Sequence, residues 1–245
     1  MKILHLYHDL MNLYGEYANV AALKRMLDNN KVPCKVDTLS VGDKVQFLDY
    51  DLIYVGSGTE SNQKIVLEHL KKSKEALKAY VDAGRFLVMT GNSFEILGKE
   101  IIDAKGKKYA GLGFFDFIVT EQERTRDTAD AIFKLIEKQE NNSESTTGKL
   151  VGFINKCSTI QGIDTPLFQV EMGLGNEKAG QTEGIRYKNF YGTHLTGPML
   201  IKNPHFLVTL ASDLCGKQMK GDYLVHEKAG YEITLRELNK RLENK

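Results

Sequence analysis

The stretch LVMTGNSFEILG, residues 87–98, carries an apolar run into a small-residue turn and leaves it on an amphipathic run. A strand that turns sharply into a helix is a natural mount for a nucleophile. The helix N-terminus offers free N–H groups and a partial positive charge, which lower the pKa of a thiol and supply donors to an oxyanion. A cysteine at the apex would make this an acyl-transfer centre. The apex residue is Gly91, followed by Asn92 and Ser93. Ser93 has a hydroxyl, but a serine in a first helical turn is ordinarily a cap, and it points away from residue 91. Alone, the stretch has the scaffold of a site and lacks the thiol.

Few other residues offer chemistry. His5 and His8 alternate along the first apolar run with Asp9 beside them, too small a set to hold a metal, and no metal or cofactor is expected. Cys34, Cys157 and Cys215 have no metal-site spacing. Their odd number argues against a disulfide framework and suits a reducing cytoplasm.

The elements that must position the turn follow from periodicity. KILHLYH reads as a strand, and Val20, Leu23, Met26 and Leu27 are spaced for a helix. CKVDTLSV and YDLIYVGSG read as strands, QKIVLEHLKKSKEALKAYVDAG as one long helix, RFLVMT as a strand and SFEILGKEI as a helix. Strand and helix in this rhythm predict a parallel sheet with right-handed crossovers. Beyond Gly111 the runs GLGFFDFIVT, DAIFKLI, LVGFIN and LFQVEMG predict added β-hairpins, one turning through ENNSESTTGK. GIRYKNFYGTHLTG reads as a last strand and turn, and NPHFLVTLASDLCG as a helix capped by Asn203 with Pro204 at its first position. We expect one domain over residues 1–245 with a charged helical tail from about 222. A net charge of +1 excludes an electrostatic case for nucleic acid. No apolar run is long enough to span a bilayer, and the opening residues do not read as a signal peptide.

Several pieces, in order, resemble the class I glutamine amidotransferases of the cobyric acid synthase (CobB/CobQ) type, and among them the glutaminase (GatD) subunits of lipid II isoglutaminyl synthase. They are LYHDLMNLYGEYANVAALK, YVGSGTESNQ, GLGFFDF, RTRDTAD, VGFINK, EGIRYKNFYGT and GPMLIKN. The resemblance implies a flavodoxin-like α/β fold, a parallel sheet flanked by helices with added β-hairpins. It also implies a Mur ligase-like partner in a heterodimer, glutamine or another small carboxylate as ligand, and a cell-wall or corrinoid acceptor. In the family pattern CGGYQ.LG, Gly91 stands for the catalytic cysteine, Asn92 and Ser93 for two glycines, Phe94 for the tyrosine and Glu95 for the glutamine; a shift of one residue would put Thr90 at the apex. In the pattern GTYLHGP, Thr196 stands for the catalytic histidine and His194 for the tyrosine. The resemblance gives Arg126 the glutamine carboxylate, which its planar fork suits. Gly56 and Gly58, with the elbow amides, would form an anion nest. With both members of the dyad replaced, loss of activity is expected. The alternatives are a displaced nucleophile, with Ser93 or Cys157 as weak substitutes and His194 as base, or a sensor that kept the glutamine pocket.

Overall fold

The computed structural model describes residues 1–123, 125–136 and 148–244. Most of the turn expected at ENNSESTTGK lies outside them.

Short apolar strands alternate with helices through the first half, as the periodicity requires. β1 (Lys2–Leu6), α1 (Tyr17–Asn29), β2 (Lys35–Leu39), β3 (Leu52–Val55), α2 (Glu60–Lys71), α3 (Lys74–Asp82) and β4 (Phe86–Thr90) lead to a 3-10 helix at Gly91–Leu97. Next come β5 (Glu100–Ile102), β6 (Lys108–Ala110), β7 (Ile118–Glu121), β8 (Asp127–Leu135), β9 (Lys149–Lys156), β10 (Ser158–Gln161), β11 (Phe168–Met172) and β12 (Thr182–Glu183). The chain returns to the core with β13 (Ile185–Tyr187) and β14 (Phe190–Thr193). It ends with β15 (Leu195–Thr196), α4 (Met199–Lys202), α5 (Pro204–Cys215) and α6 (Val225–Glu243).

Among the described residues the core sheet runs β2-β1-β3-β4-β14-β13. Its first five strands are parallel and β13 closes the edge antiparallel. This is the flavodoxin-like order, with the fourth crossover expanded into the added strands. All four residues of β3 are buried, as a strand covered on both faces must be. One face packs Val66, Leu67, Leu77 and Tyr80 of α2 and α3; the other packs Val20, Leu23, Phe206 and Leu210 of α1 and α5. The added strands form two further sheets, β10-β7-β5-β6 and β12-β11-β8-β9-β15, rather than simple hairpins on the core. Leu238 of α6 packs on the second of these against Ile132 and Val151.

Four local expectations need correction. The long helix is two, because the Ser73 N–H and hydroxyl both turn back to the Leu70 carbonyl and offer the backbone an alternative to helix. The apolar spacing runs through that break, so it gives no warning. SFEILGKEI is a 3-10 helix followed by β5. Gly98 lies so close to Phe117 that a Cβ would approach its ring to 2.3 Å, and Lys99 N–H bonds the Phe117 carbonyl. GLGFFDF is not strand: its Leu112, Gly113, Phe114 and Phe115 N–H groups donate to the Ile96, Gly98 and Leu97 carbonyls and finish the 3-10 helix. Asn203 does not cap α5 with its side chain. It accepts from Val151 N–H at 2.8 Å and donates to the Val151 and Met199 carbonyls at 2.9 Å, joining the helix entry to β9.

Asn203→Ala is therefore expected to cost about 3 kcal/mol, since two buried backbone groups of Val151 lose a partner. Urea unfolding at fixed pH checks this; a loss near the ~1 kcal/mol of an ordinary cap would contradict it.

Candidate functional site

β4 ends at Thr90 in extended conformation, and Gly91 takes φ +62°. The apex is therefore residue 91, not Thr90. The left-handed conformation favours glycine, and the surroundings require it. A Cβ at position 91 would lie 2.2 Å from the Ser57 Cβ and 3.1 Å from its Cα. Ser57, on the loop after β3, fills the space into which an apex side chain would project.

Ser57 is anchored in turn. Its hydroxyl donates to the Glu16 carboxylate at 3.0 Å. Glu16 also accepts from Tyr54 Oη at 2.5 Å, Thr90 Oγ1 at 2.8 Å, Asn19 Nδ2 at 3.1 Å and the Gly197 N–H at 2.9 Å. All of these side chains are buried. Burial pushes the Glu16 carboxyl above its usual range, and the donors offset part of that rise. This one carboxylate joins the β1–α1 loop, β3, β4 and the segment after β15, the four places from which a catalytic centre at the sheet's carboxyl end would be built.

The second family position is also occupied. The Thr196 hydroxyl donates to the Phe153 carbonyl at 3.1 Å, within the β15–β9 pairing. His194 is 1% exposed. Its Nδ1 lies 3.1 Å from Glu183 and its Nε2 3.1 Å from Glu95, and its backbone N–H donates to Glu183 at 2.7 Å. Phe94 meets the ring edge-on at 4.7 Å. Burial would raise the Glu95 carboxyl. The His194 contact and the hydrogen bonds from Ser158 and Gln63 outweigh it and hold Glu95 below its usual range. With both ring nitrogens on carboxylates, His194 is a buried bridge rather than a base aimed at the elbow.

The remaining sequence candidates are spoken for. Ser93 Oγ donates to the Thr90 and Val55 carbonyls at 2.8 and 3.2 Å. Asn92 Oδ1 accepts the Gly58 N–H at 3.1 Å, so the expected nest of Gly56, Gly58 and Asn92 does not present that amide to a ligand. Gly56 is glycine for packing: a Cβ would meet the Met11 carbonyl at 2.4 Å. Arg126 is exposed and spends its fork on Glu60 at 2.7 Å and Asn155 at 2.6 Å. The Cys157 thiol also donates to Glu60, at 3.1 Å, and burial together with that carboxylate pushes its pKa up to about 12. That is an inert cysteine. Among the described residues no three His, Cys, Asp or Glu are grouped to hold a metal ion. His5 Nε2 and His8 Nδ1 are buried without hydrogen-bond partners among the described residues. Burial, then the neighbouring His8, pulls His5 down to about 4.

Ser57, Glu16, Tyr54 and Glu183 went unremarked in the sequence. The signal for Ser57 was available, as a serine between two glycines where the backbone crowds. Glu16 and Glu183 gave none, since a carboxylate looks the same in a buried knot as on a surface.

Two outcomes follow. Gly91→Ala should cost about 3 kcal/mol, part from positive φ and part from overlap with Ser57. Adding Ser57→Gly should restore the overlap share, giving a coupling of at least ~1 kcal/mol in a double-mutant cycle, whereas additivity within ~0.5 kcal/mol would contradict the contact. His5 has a depressed folded pKa, so the unfolded chain binds the extra proton. Its contribution is complete above 6.5 and is lost as pH falls from 6.5 to about 4. The loss is as much as ~3 kcal/mol at ~1.4 kcal/mol per pKa unit. Urea midpoints across that window should show the fall in the native chain and a flatter profile in His5→Leu.

Comparison with known proteins gives the family and agrees with the fold. Residues 2–204 match the CobB/CobQ-like glutamine amidotransferase domain. The chain is similar to the lipid II isoglutaminyl synthase (glutamine-hydrolyzing) subunit GatD of Staphylococcus aureus (strain N315), 29% identical over 218 residues, 89% of this chain and 86% of that protein. It is similar to the subunit of the same name from Streptococcus pneumoniae (strain ATCC BAA-255 / R6), 28% identical over 224 residues, 91% of this chain and 83% of that one. In fold it resembles a crystal structure of a glutamine amidotransferase, at TM-score 0.53 and 14% identity, covering 87% of this chain and 98% of the other. It also resembles a glutamine amidotransferase from Thermotoga maritima, at TM-score 0.52 and 13% identity, covering 99% and 97%. With its match spanning most of the chain, this protein belongs to the CobB/CobQ-like glutamine amidotransferase family.

Proposed function

We propose that this chain is a non-catalytic glutamine amidotransferase-like subunit. It would assemble in the cytoplasm with a Mur ligase-like partner that acts on a cell-wall precursor. The observation that carries the proposal is the Ser57 side chain filling the space over Gly91. Amide hydrolysis by this family's chemistry needs a thiolate at the apex and a base to manage its proton. Position 91 has no side chain and no room for one, and position 196 carries a hydroxyl bonded to a backbone carbonyl. The buried Ser93 hydroxyl and the Cys157 thiol, pushed up to about 12, weigh against a displaced nucleophile.

The partner half of the reading draws on the relatives, which are subunits of lipid II isoglutaminyl synthase by name. It also draws on the rim of the sheet's carboxyl end, where open α/β sheets carry their sites. There the β1–α1 segment exposes Leu13 at 50% and Tyr17 at 60% beside the closed elbow, with Leu13 N–H bonded to the Ser57 carbonyl. Large apolar side chains on the lip of a filled site suit a docking surface.

The purified chain is expected to release no ammonia from glutamine above the no-enzyme rate and to form no adduct with diazo-oxo-norleucine. Steady turnover abolished by Ser93→Ala or Cys157→Ala would overturn the non-catalytic reading. Gly91→Cys alone should fold poorly and stay inactive. Ser57→Gly, Gly91→Cys and Thr196→His together should yield an alkylatable thiol, because Ser57, rather than Asn92 or Ser93, is the first obstacle. Co-expressed with a Mur ligase-like protein from the same source, the chain should co-elute in size exclusion. Leu13→Asp with Tyr17→Asp should weaken that complex by at least about tenfold. Separate elution of the native pair would remove the partner half and leave the catalytic half standing.

A further inference from the structure

The GFFDF stretch, residues 113–117, follows the elbow in sequence and has no part in its chemistry. Phe117 is fully buried, whereas Phe114 and Phe115 stay half-buried and line a cavity of about 280 Å³. That is near the lower end of small-ligand sites, ~300–1,000 Å³. The cavity lies against the edge strand β13. Tyr187 in its wall pairs with Phe190, which pairs with Leu87 at the start of β4. It therefore opens toward the amino ends of the core strands, at the opposite end of the sheet from Gly91.

Its surface is aromatic. Phe115 stacks on Phe190 at 5.6 Å and meets Tyr187 edge-on at 5.7 Å. Among its lining residues three carboxylates, Asp82, Asp116 and Asp164, outnumber the one cation, Lys78. Lys78 is held by Asp82 at 2.6 Å, a closed pair, whereas Asp116 and Asp164 are exposed at the cavity and have no ion-pair partner among the described residues. Aromatic faces attract cations through the ring quadrupole, and unpaired carboxylates add a direct charge. The same corner already holds one cation: the Lys188 ammonium sits 5.4 Å from the Tyr187 ring centroid and donates to the Asp82 carbonyl. An anion would be repelled by two carboxylates. A neutral apolar group would leave them unused, and a bare inorganic cation would leave the aromatic surface unused.

We propose that this cavity binds a small organic ammonium ion, an amine carried on an aromatic or branched aliphatic body. The body lies on Phe114, Phe115 and Tyr187, and the ammonium faces Asp116 and Asp164. The site is independent of whether the elbow is catalytic.

The chain contains no tryptophan, so Phe114→Trp installs a single fluorescent reporter in the cavity wall. The probes are phenethylamine, phenethyl alcohol and hydrocinnamate, which share a body and differ in charge. Phenethylamine should shift the emission saturably and bind at least about tenfold tighter than the other two, a difference of the size a desolvated cation–π contact with a carboxylate supplies. Asp116→Asn with Asp164→Asn, both at exposed positions, should abolish that preference while leaving the fold intact. Ligand-observed saturation transfer on the native chain with the same three compounds gives the comparison free of any packing effect of the tryptophan. Equal binding of the alcohol or the carboxylate, a preference that survives the double substitution, or no saturation transfer to the amine would each overturn the proposal.

Discussion

The elbow is governed by one contact, the Ser57 side chain against the left-handed Gly91. A side chain at the apex would project where the loop after β3 passes, and here the side chain stands on the loop and the bare backbone on the elbow. Position 91 can take a side chain only once Ser57 gives up its own or moves. A reversion at position 91 alone meets backbone and Cβ atoms at once, not a flexible tip that could swing aside.

The Glu16 carboxylate makes this arrangement rigid. It takes five donors from four segments, one of them the hydroxyl of Ser57. A buried carboxylate is costly to desolvate and becomes tolerable only when its lone pairs are answered. The knot therefore resists partial change, since removing any donor leaves the charge less compensated. A second knot, Glu183–His194–Glu95 with Ser158 and Gln63, lies behind it and fixes the other face of the 3-10 helix. The carboxyl end of the sheet thus holds two filled hydrogen-bonded centres. Leu13 and Tyr17 stay exposed at the rim beside these centres.

Much of this was readable before the structure, for identifiable reasons. The core strands announced themselves because β1, β3 and β4 are apolar runs ended by polar or small residues, and the elbow because small residues must stand where backbones crowd. Gly91 and Thr196 could be set against the family's cysteine and histidine from the sequence because each lies in a short motif with fixed neighbours. The break at Ser73 was hidden, since α2 and α3 keep one continuous apolar phase across it. The short 3-10 helix was hidden too, because what ends it is Phe117, some twenty residues away in sequence. The role of Asn203 was misread because the residue before Pro204 looks like a cap, and its bond to Val151 is long-range. The filling of the elbow itself is a relation between positions 57 and 91. No local pattern records it.

Ser57 fills the space into which a side chain at position 91 would project. The most direct measurement is an amide-resolved NMR titration of the native chain with L-glutamine. No shift change is expected at Ser57, Gly58, Gly91, Asn92 or Thr196, even where other surfaces respond. A saturable set of shifts centred on those amides would mean that the elbow is open to its family's ligand and that Ser57 does not close it.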